Sequence, residues 1–405
     1  MCGSQKSRRK GVGMINDCYY DDFDRKENLH FDSKVVHGGL GCDPMTGAVS
    51  FPIFQTATFR HREFGVSTGY NYSRLQNPTR QELERTMAIL EEGTEGFAFS
   101  SGQAANMSLF GMLKNGEHVV LSDDIYGGTY RICEDIFHSR GCDFTYVDMA
   151  DLNALKAAIR PTTRMIFVET PTNPMMKVAD IRKISEIAKE NNCLLVVDNT
   201  FLTPYFQKPI TLGADIVVHS GTKYLCGHND VIAGMVIVTN EELADHFRLQ
   251  LKSRGNGLAP FDSWLILRGL KTLSLRMAKH DENAKVVAEW LRKHPRVKKV
   301  YYAGFEDHIG YAISKSQSTG FGGMISFEVD SVETVHKVLS DVNMILFAES
   351  LGGTETLITY PLTQTHESIP ADIREKLGIN ERFLRISIGI EHVDDIIADL
   401  EQALG

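Results

Sequence analysis

The sequence predicts an α/β protein in which a mostly parallel sheet is followed by a smaller α+β domain. Short apolar runs alternate with helical patterns between residues 96 and 238. These runs are continuously apolar, which is typical of strands covered by helices on both faces. Beyond about residue 260 the strand-like runs alternate apolar with polar residues, which indicates half-exposed strands. A chain of 405 residues exceeds one hydrophobic core, so we expect two domains.

Seven apolar runs are candidate strands of the large sheet: 96–100, 118–121, 144–147, 165–168, 194–197, 216–219 and 234–238. Helical patterns at 104–113 and 181–189 lie between some of them. An earlier helix is expected to have Asn77 as its N-cap, Pro78 at its first position and Gly93 at its end.

Three polar residues come directly after candidate strands: Glu169, Asp198 and Ser220. In open parallel sheets, ligands bind beyond the carboxyl ends of the strands. The sequence therefore predicts a functional site at this edge of the large sheet.

The C-terminal part is expected to contain helices at 264–276 and 283–294 and strands at 324–328, 344–347 and 383–388. The segment 51–72 is aromatic, rich in threonine and irregular, which predicts an arm lying on another surface. We divide the chain into a mobile extension (1–31), an intersubunit arm (32–63), an α/β domain (64–259) and an α+β domain (260–405).

Composition argues against several classes of function. A formal net charge of −9 and a pI near 5.9 disfavour nucleic acid as a partner. No run approaches the roughly 18–20 apolar residues of a membrane span, and the N-terminus lacks a secretory signal, so we expect a cytoplasmic protein. Seven dispersed cysteines without C-x-x-C spacing predict reduced thiols. The H-E-x-x-H, Walker and G-x-G-x-x-G motifs are absent from the sequence, which predicts no metal, ATP or dinucleotide site.

Lys223 is the first candidate catalytic residue. It follows a candidate buried strand in the stretch HSGTKYLCGHND, which is rich in glycine and hydroxyl groups. A low-dielectric crevice would lower the pKa of its amine and make the amine nucleophilic toward an aldehyde. Ser220 and Thr222 beside it offer hydroxyl groups to a phosphate. A loop lysine considered alone is more often structural or solvated.

Asp198 supplies the partner that favours the catalytic interpretation of Lys223. It ends the apolar run LLVV with an acidic group. A carboxylate against the pyridine nitrogen of pyridoxal phosphate (PLP) keeps that nitrogen protonated, which makes the ring an electron sink. The alternative is an aspartate that caps the turn at Asn199 and Thr200.

Two further features suit the same cofactor. The stretch SSGQAA at 100–105 opens a helix after a strand, where unpaired N–H groups and the helix dipole favour a phosphate. Tyr126, in DDIYGGTYR, could lay its ring over a flat cofactor and offer its phenol for proton transfer. An ordinary strand-to-helix turn and a core tyrosine are the respective alternatives.

Together these stretches resemble the Cys/Met-metabolism PLP-dependent (trans-sulfuration) enzymes of the fold-type I class. The matching stretches are YSRLQNPTR (72–80), SSGQAA (100–105), DDIYGGT (123–129), ETPTNP (169–174), VVDNTF (196–201), SGTKYLCGH (220–228), AESLGGTETL (348–357) and LRISIGIE (384–391). They run in order from about residue 32 to the C-terminus. The resemblance implies the PLP-dependent transferase fold, with a mostly parallel seven-stranded sheet and a smaller C-terminal α+β domain.

The resemblance also implies roles for individual residues. Lys223 would carry the cofactor covalently and move the substrate's α-proton, with Tyr126 stacked on the ring. Arg385 would clamp the substrate's α-carboxylate through a bidentate pair. The other implied cofactor-binding residues are Tyr72, Arg74, Gly102, Gln103, Glu169, Asp198, Ser220 and Thr222. The other implied substrate-binding residues are Asn173, Glu355 and Thr356.

In this family Tyr72 and Arg74 complete the phosphate site of the neighbouring subunit. The resemblance therefore implies a homo-oligomer, which is a dimer commonly paired into a tetramer. The implied small-molecule partners are sulfur-containing amino acids and homoserine esters.

Within the family, the resemblance favours a cystathionine γ-synthase, which joins an O-acylhomoserine to cysteine. The stretches most similar to such enzymes are FRHREFGVSTGYNY, GHNDVIAG, PFDSWLILRGLKTLSLRM and ITYPLTQTHESIP. Glu355 offers a carboxylate to the amine of cysteine or to the distal amine of cystathionine, and Gly128 stands where methionine γ-lyases typically carry Cys. The stretches SKSQSTGFGGMISFE and VDMADLNALK fit a cystathionine β-lyase or γ-lyase equally well. An O-acetylhomoserine sulfhydrylase and a methionine γ-lyase are less favoured.

Two hypotheses from other classes stay open. An aminotransferase of the same fold is disfavoured by the context SGTKYLCGH. A non-catalytic relative is disfavoured by the presence of Lys223, Asp198, Tyr126 and Arg385 together.

Overall fold

The structure is a computed structural model that describes residues 29–367 and 369–405. The predicted extension at 1–31 therefore lies, up to residue 28, outside the described residues. Helix α1 (Phe31–His37) comes first, and the segment that follows it has no helix or strand up to residue 77. Much of the predicted arm at 51–72 is exposed, and an isolated bridge joins Thr58 to Tyr72.

All seven predicted strands of the large sheet are confirmed. They are β1 (Glu95–Phe99), β2 (His118–Ser122), β3 (Asp143–Val147), β4 (Thr163–Glu169), β5 (Leu194–Asp198), β6 (Ile216–Ser220) and β7 (Gly234–Val238). Their order across the sheet is β1-β7-β6-β5-β4-β2-β3. Strand β7 runs antiparallel to both of its neighbours and the remaining pairs are parallel, so the sheet is mostly parallel, as predicted.

Helices cover both faces of this sheet, which is why its strands are continuously apolar. The helices are α2 (Pro78–Glu91), α3 (Gly102–Phe110), α4 (Gly127–Arg131), α5 (Leu152–Ala158), α6 (Ile181–Glu190), α7 (Thr203–Phe206) and α8 (Glu241–Arg254). Helix α2 begins at the predicted cap, Asn77, and ends before Glu92, which has a left-handed backbone, rather than at Gly93. Helix α3 occupies 102–110 rather than the predicted 104–113.

The C-terminal part is built on a second, five-stranded sheet. Its helices are α9 (Pro260–Leu270), α10 (Leu273–Leu291), α11 (Tyr311–Gln317), α12 (Val332–Asp341), α13 (Ala371–Leu377) and α14 (Val393–Leu404). Its strands are β8 (Val297–Tyr301), β9 (Met324–Val329), β10 (Leu346–Phe347), β11 (Leu357–Thr359) and β12 (Phe383–Ser387), in the order β10-β11-β12-β9-β8. The predicted fold class, a large α/β part with a smaller sheet domain, is confirmed.

Two predictions for the C-terminal helices and strands were wrong in detail. The helix predicted at 264–276 is interrupted after residue 270, where the guanidinium of Arg276 donates to the carbonyl of Gly269 and so satisfies a carbonyl at the end of α9. Strands β8 and β11 were not predicted. The stretch VKKVY of β8 carries two adjacent lysines and β11 has only three residues, so neither gives a clear alternating pattern.

The prediction of half-exposed strands was wrong for β9 and β12, which are almost completely buried. One polar side chain of each strand contacts the large part of the molecule. Ser326 of β9 donates to the carbonyl of Pro174 at 2.7 Å, and Arg385 of β12 donates to Asn173. The polar face of the small sheet therefore helps to form the boundary between the two sheets.

Within the described ranges, no helix has the length and apolar composition that a membrane crossing would require.

The side chain of Asn77 joins the start of α2 to the arm. Its oxygen accepts from the N–H of Thr79, and its amide donates to the carbonyl of Phe54 and to the hydroxyl of Ser73. Replacing Asn77 by Ala removes the cap and both arm contacts. The free energy of unfolding is expected to fall by about 1–2 kcal/mol, measured by urea denaturation.

Trypsin distinguishes the two roles of Asn77. The variant Asn77→Ala should be cleaved faster after the exposed Arg60 and Arg62 of the arm. Ser331→Ala, which removes the N-cap of α12 at a distance from the arm, is the matched control and should lose stability without faster cleavage there. Equal cleavage rates in the two variants would contradict an anchoring role for Asn77.

Candidate active site

The carboxyl ends of three parallel strands carry the residues that the sequence singled out. Glu169 ends β4, Asp198 ends β5 and Ser220 ends β6. Glu169 and Asp198 lie directly opposite each other in the register of β4 and β5. The structure thus brings these side chains to one edge of the large sheet, as their positions after the strands indicated.

Lys223 lies in the loop after β6. Its backbone N–H donates to the carbonyl of Ser220, and its Nζ donates to the hydroxyl of Ser350 at 2.9 Å. Burial of the amine, and then the positive charge of Arg385, lower the pKa of Lys223 to about 8. A larger share of the amine is therefore neutral near pH 8 than for an exposed lysine, which favours attack on an aldehyde.

Ser350 was not predicted, and it joins two parts of the site. Its hydroxyl accepts from Lys223 and its carbonyl accepts from Nη2 of Arg385 at 2.9 Å. Its φ of 122° lies in a region that side-chain-bearing residues rarely adopt. A single strained residue thus fixes the lysine amine relative to the arginine guanidinium.

Arg385 is 1% exposed and holds a network of neutral acceptors. Nη1 donates to Oδ1 of Asn173 at 2.9 Å, and Nη2 donates to Ser350 and to Oγ1 of Thr359 at 3.1 Å. Among the described residues its Nε has no hydrogen-bond partner, and its terminal nitrogens donate to neutral oxygens. Burial lowers the pKa of Arg385 to about 10. A buried cation without a counter-ion is unfavourable, so an incoming carboxylate would complete this site.

Glu169 holds the backbone of two other site residues. Its two carboxylate oxygens accept from the N–H of Asn173 at 2.9 Å and from the N–H of Tyr126 at 3.0 Å. Burial, and then the neighbouring charge of Asp198, raise the pKa of Glu169 well above its usual range. The side chain is therefore a support for the loops around it.

Tyr126 precedes α4 and is 40% exposed, so its ring is partly accessible to a ligand. Gly128 gives that ring its space. A Cβ at position 128 would lie 2.6 Å from Cε1 of Tyr126 and 2.1 Å from Nε2 of Gln103. Any larger residue at 128 would therefore displace the tyrosine or the glutamine.

Among the described residues, Asp198 is hydrogen-bonded through one of its two carboxylate oxygens. Its Oδ1 accepts from the N–H of Thr200 at 3.0 Å and from the hydroxyl of Thr200 at 2.6 Å. The turn-capping alternative is thus observed, but it uses Oδ1 and leaves Oδ2 for a donor on a ligand. The hydroxyl of Thr200 also accepts from the N–H of Ser220, which links two strand ends. Burial raises the pKa of Asp198.

The start of α3 forms a place for an anion. The hydroxyl of Ser101 caps the N–H of Ala104, and the N–H groups of Gly102 and Gln103 lie in the first helical turn, where no intrahelical acceptor exists. A Cβ at Gly102 would lie 3.3 Å from Cβ of Ser220, so the glycine permits a close approach of the two chain segments. Thr222 is nearby in sequence, and its hydroxyl accepts from the N–H of Ala233.

Four further residues that the sequence proposed for the site have their recorded contacts outside this cluster. Tyr72 and Arg74 are exposed, and the guanidinium of Arg74 lies 5.5 Å from the centre of the Tyr72 ring. Glu355 accepts from the amide of Asn229 at 2.7 Å and is also exposed.

The fourth of these residues is Thr356, which is buried. Its hydroxyl donates to Glu391 at 2.8 Å and accepts from the N–H of Gly389. The threonine whose hydroxyl contacts Arg385 is Thr359, which the sequence analysis missed and which lies opposite Arg385 in the register of β11 and β12. The two threonines are three residues apart, and only the strand register distinguishes their surroundings.

These groups fit PLP. Lys223 offers an amine to its aldehyde, Asp198 a free carboxylate oxygen to its ring nitrogen, and the start of α3 its N–H groups to its phosphate. No three His, Cys, Asp or Glu side chains of the described residues are grouped to hold a metal ion. Fold and site together define a PLP-dependent enzyme.

The chain belongs to the Cys/Met metabolism PLP-dependent enzyme family, whose family model matches residues 32–405. It is 49% identical to a cystathionine β-lyase of Coxiella burnetii, over 93% of this chain and 98% of that protein. It is 47% identical to a cystathionine γ-synthase/O-acetylhomoserine (thiol)-lyase of Bacillus subtilis, over 93% of this chain and 96% of that protein.

A solved structure gives the same result for the fold. The chain is similar to a cystathionine γ-lyase from Lactobacillus plantarum complexed with L-serine, with a TM-score of 0.90 and 43% identity over 93% of this chain and 98% of that one. The resemblance deduced from the eight sequence stretches is confirmed.

The lowered pKa of Lys223 predicts how PLP uptake depends on pH. Only the neutral amine attacks the aldehyde, so the rate at which cofactor-free protein becomes yellow should rise through pH 8 and then level off. In Arg385→Met the lost repulsion raises the pKa of Lys223, so the midpoint should move to higher pH.

The measurement is stopped-flow absorbance after mixing cofactor-free protein with PLP across a pH series. Arg254→Met, which removes a cation at the end of α8, is the control and should keep the wild-type midpoint. A midpoint that is the same in Arg385→Met and in wild type would show that Arg385 does not act on Lys223.

Proposed function

We propose that this enzyme forms the carbon–sulfur bond of cystathionine by replacing the γ-substituent of an O-acylhomoserine with cysteine. Cleavage of cystathionine by β- or γ-elimination is the second candidate. The observation that carries the proposal is the bridge made by Ser350, which bonds the amine of Lys223 and the guanidinium of Arg385. A site with a nucleophilic amine and a carboxylate-binding group at a fixed separation suits an α-amino acid.

Arg385 is proposed to bind the substrate's α-carboxylate. The supporting observations are its burial, the absence of a carboxylate partner among the described residues and the free Nε. Asn173 and Thr359 hold the two terminal nitrogens, so a substrate carboxylate meets a guanidinium whose plane is already fixed. Preorganised charge-assisted bonds of this kind give both affinity and orientation.

Lys223 is proposed to move the proton of the substrate's α-carbon at its Nζ. The hydroxyl of Ser350 keeps the amine directed toward the carboxylate site, and the lowered pKa lets the amine accept a proton near neutral pH. When bound, PLP supplies the electron sink for this proton removal. The same amine can later return a proton to the product.

The other cofactor contacts are proposed by the same reasoning. Oδ2 of Asp198 would pair with the ring nitrogen of PLP. The ring of Tyr126 would lie over the cofactor ring, because Glu169 accepts from the N–H of Tyr126 and so positions its backbone. Gly102, Gln103, Ser220 and Thr222 would surround the phosphate.

Tyr72 and Arg74 are proposed to act across a subunit interface. Both are exposed, and the segment 45–64 before them carries exposed apolar side chains such as Val49 and Phe64. Exposed apolar groups of this kind favour burial against another surface. A homo-oligomer in which the pair serves a neighbouring phosphate site would give both residues a role, although their recorded contacts lie outside the cluster.

Glu355 is proposed to bind the amine of the second amino acid. Its carboxylate is exposed, and Asn229 holds one of its oxygens. The other oxygen is available for the ammonium group of incoming cysteine or for the distal ammonium of cystathionine. This contact would distinguish an amino-acid thiol from sulfide, which has no ammonium group.

The lyase candidate is supported by relatives. A β-lyase and a γ-synthase/O-acetylhomoserine (thiol)-lyase match this chain at 49% and 47% identity, so similarity favours neither direction strongly. The same groups would serve both reactions, because both begin with removal of the α-proton.

Product analysis tests the proposed reaction. Protein loaded with PLP is given O-acetyl- or O-succinylhomoserine with cysteine, and cystathionine in a separate reaction, and the products are identified by mass. Cystathionine formed from the first mixture is the expected result. Homocysteine with pyruvate, or cysteine with 2-oxobutyrate, formed only from the second mixture would make the enzyme a lyase. Lys223→Ala should lower either rate by at least about 10²–10⁴-fold.

The role of Glu355 is tested by replacing it with Gln, which removes the charge and keeps an oxygen for Asn229. The KM for cysteine is expected to rise about three- to tenfold, because an exposed ion pair contributes modestly. The rate with sulfide as acceptor should stay within twofold of wild type, as roughly expected where no ion pair is lost. Equal losses with cysteine and sulfide would remove the reason for assigning an ammonium site to Glu355.

A further inference from the structure

His366 is a buried residue outside the site residues considered so far. It lies in the segment 361–370, named the strap here, which connects β11 to α13 and of which residue 368 is not described. The His366 side chain is fully buried. Its Nδ1 lies 2.8 Å from the hydroxyl of Thr365, and its Nε2 lies 3.0 Å from the carbonyl oxygen of Asn173.

The bond to Asn173 defines the tautomer of His366. A carbonyl oxygen can only accept, so Nε2 carries the hydrogen, and Nδ1 accepts from the hydroxyl of Thr365. Burial, and then the positive charge of Arg385, lower the pKa of His366 to about 4. The imidazole therefore remains neutral near pH 7, with both nitrogens engaged.

Through this bond His366 acts on the residue that holds Arg385. Asn173 is fixed at three points: its N–H donates to Glu169, its carbonyl accepts from His366, and its side-chain oxygen accepts from Arg385. Removing the donor at 366 would leave a buried carbonyl without its hydrogen bond, and the backbone of Asn173 would shift to find another. The guanidinium would then lose the acceptor that holds Nη1, and only its Nη2 contacts with Ser350 and Thr359 would remain.

The backbone of His366 is in turn fixed within the strap. Its N–H donates to the carbonyl of Pro361 at 3.0 Å, and its carbonyl accepts from Nη1 of Arg374 in α13 at 3.3 Å. Arg374 also donates to the carbonyl of Leu362 at 3.1 Å. The ring therefore projects from a braced loop toward Asn173.

We propose that His366 is a positioning residue for recognition of the substrate's α-carboxylate, because it fixes Asn173 and through it the guanidinium of Arg385. This inference rests on the proposed function of Arg385 and adds a residue from a different segment of the chain. The ligand class concerned is the free α-amino acid, as opposed to an amine that lacks the carboxylate.

The test compares two ligands that differ only in the carboxylate. PLP-loaded protein is titrated with L-norleucine and with pentylamine, and the change in cofactor absorbance gives each dissociation constant. The dissociation constant of pentylamine divided by that of L-norleucine is the carboxylate ratio, and it measures the carboxylate contact without any turnover. In His366→Phe this ratio is expected to fall about tenfold, the size of one charge-assisted bond lost from the clamp.

Conservative replacement separates positioning from packing. His366→Gln keeps an N–H donor that can reach the Asn173 carbonyl, and it should restore the ratio to within about threefold of wild type. His246→Phe is the matched control, because it removes another histidine bonded to a backbone carbonyl, that of Ser108 in α3. This control should keep the wild-type ratio whatever its effect on stability.

The outcomes are distinct. A ratio in His366→Phe equal to that of wild type overturns the inference, as does an equal loss of affinity for both ligands. If His366→Phe does not fold, the comparison is made with His366→Asn, whose amide is too short to reach, and the same loss is required. A wild-type protein that prefers L-norleucine over pentylamine and yet forms no carbon–sulfur product would reject the proposed reaction and leave this inference intact.

Discussion

The structure of the site depends on one buried positive charge. Arg385 is removed from water, and in the described part of the chain it meets only neutral oxygens, from Asn173, Ser350 and Thr359. Such an arrangement is costly unless an anion completes it. We expect the substrate's carboxylate to be this anion. The unfavourable free energy of the unpaired charge is then relieved on binding, which favours amino acids over amines that lack a carboxylate.

The same charge acts on its neighbours. It is the second cause, after burial, of the lowered pKa of Lys223 and of the lowered pKa of His366. The lowered pKa keeps the imidazole of His366 neutral near pH 7, so it can donate from Nε2 and accept at Nδ1. For Lys223 the lowered pKa increases the neutral share of the amine, and only that neutral share can accept a proton. If a substrate carboxylate binds Arg385 as proposed, it would offset the charge of Arg385 and make the lysine amine more basic when the amine has to accept a proton. The proposed binding and proton transfer would thereby be coupled through one guanidinium.

Sequence reasoning predicted the large sheet and its edge because these follow from local patterns. Continuous apolar runs locate the strands, and the polar residues after them locate Glu169, Asp198 and Ser220. The small sheet was predicted less well. The alternation of β9 and β12 was real, but the structure shows that their polar face meets the large part of the molecule and not solvent.

Long-range pairing sets the limit of what the sequence could predict for the site. Ser350 lies 127 positions from Lys223, and His366 lies 193 positions from the Asn173 carbonyl. No local pattern distinguishes a serine that holds a lysine from any other loop serine. Choosing Thr359 over Thr356 as the neighbour of Arg385 likewise requires the register of β11 and β12. The local pattern indicated Lys223 and the family resemblance implied Arg385 and Asn173, whereas only the structure shows the contacts of Ser350 and Thr359 with them.

The division of the site between two sheets has a practical consequence. The proposed cofactor contacts within one chain come from the large sheet and its loops, whereas Arg385, Ser350 and Thr359 belong to the small sheet and its connections. A molecule in which the small sheet has separated or distorted would keep its cofactor and its yellow absorbance but would lose its affinity for amino acids. Yellow absorbance in a preparation of this enzyme therefore measures the amount of bound cofactor. The number of sites able to bind a substrate has to be measured by titration with an amino acid.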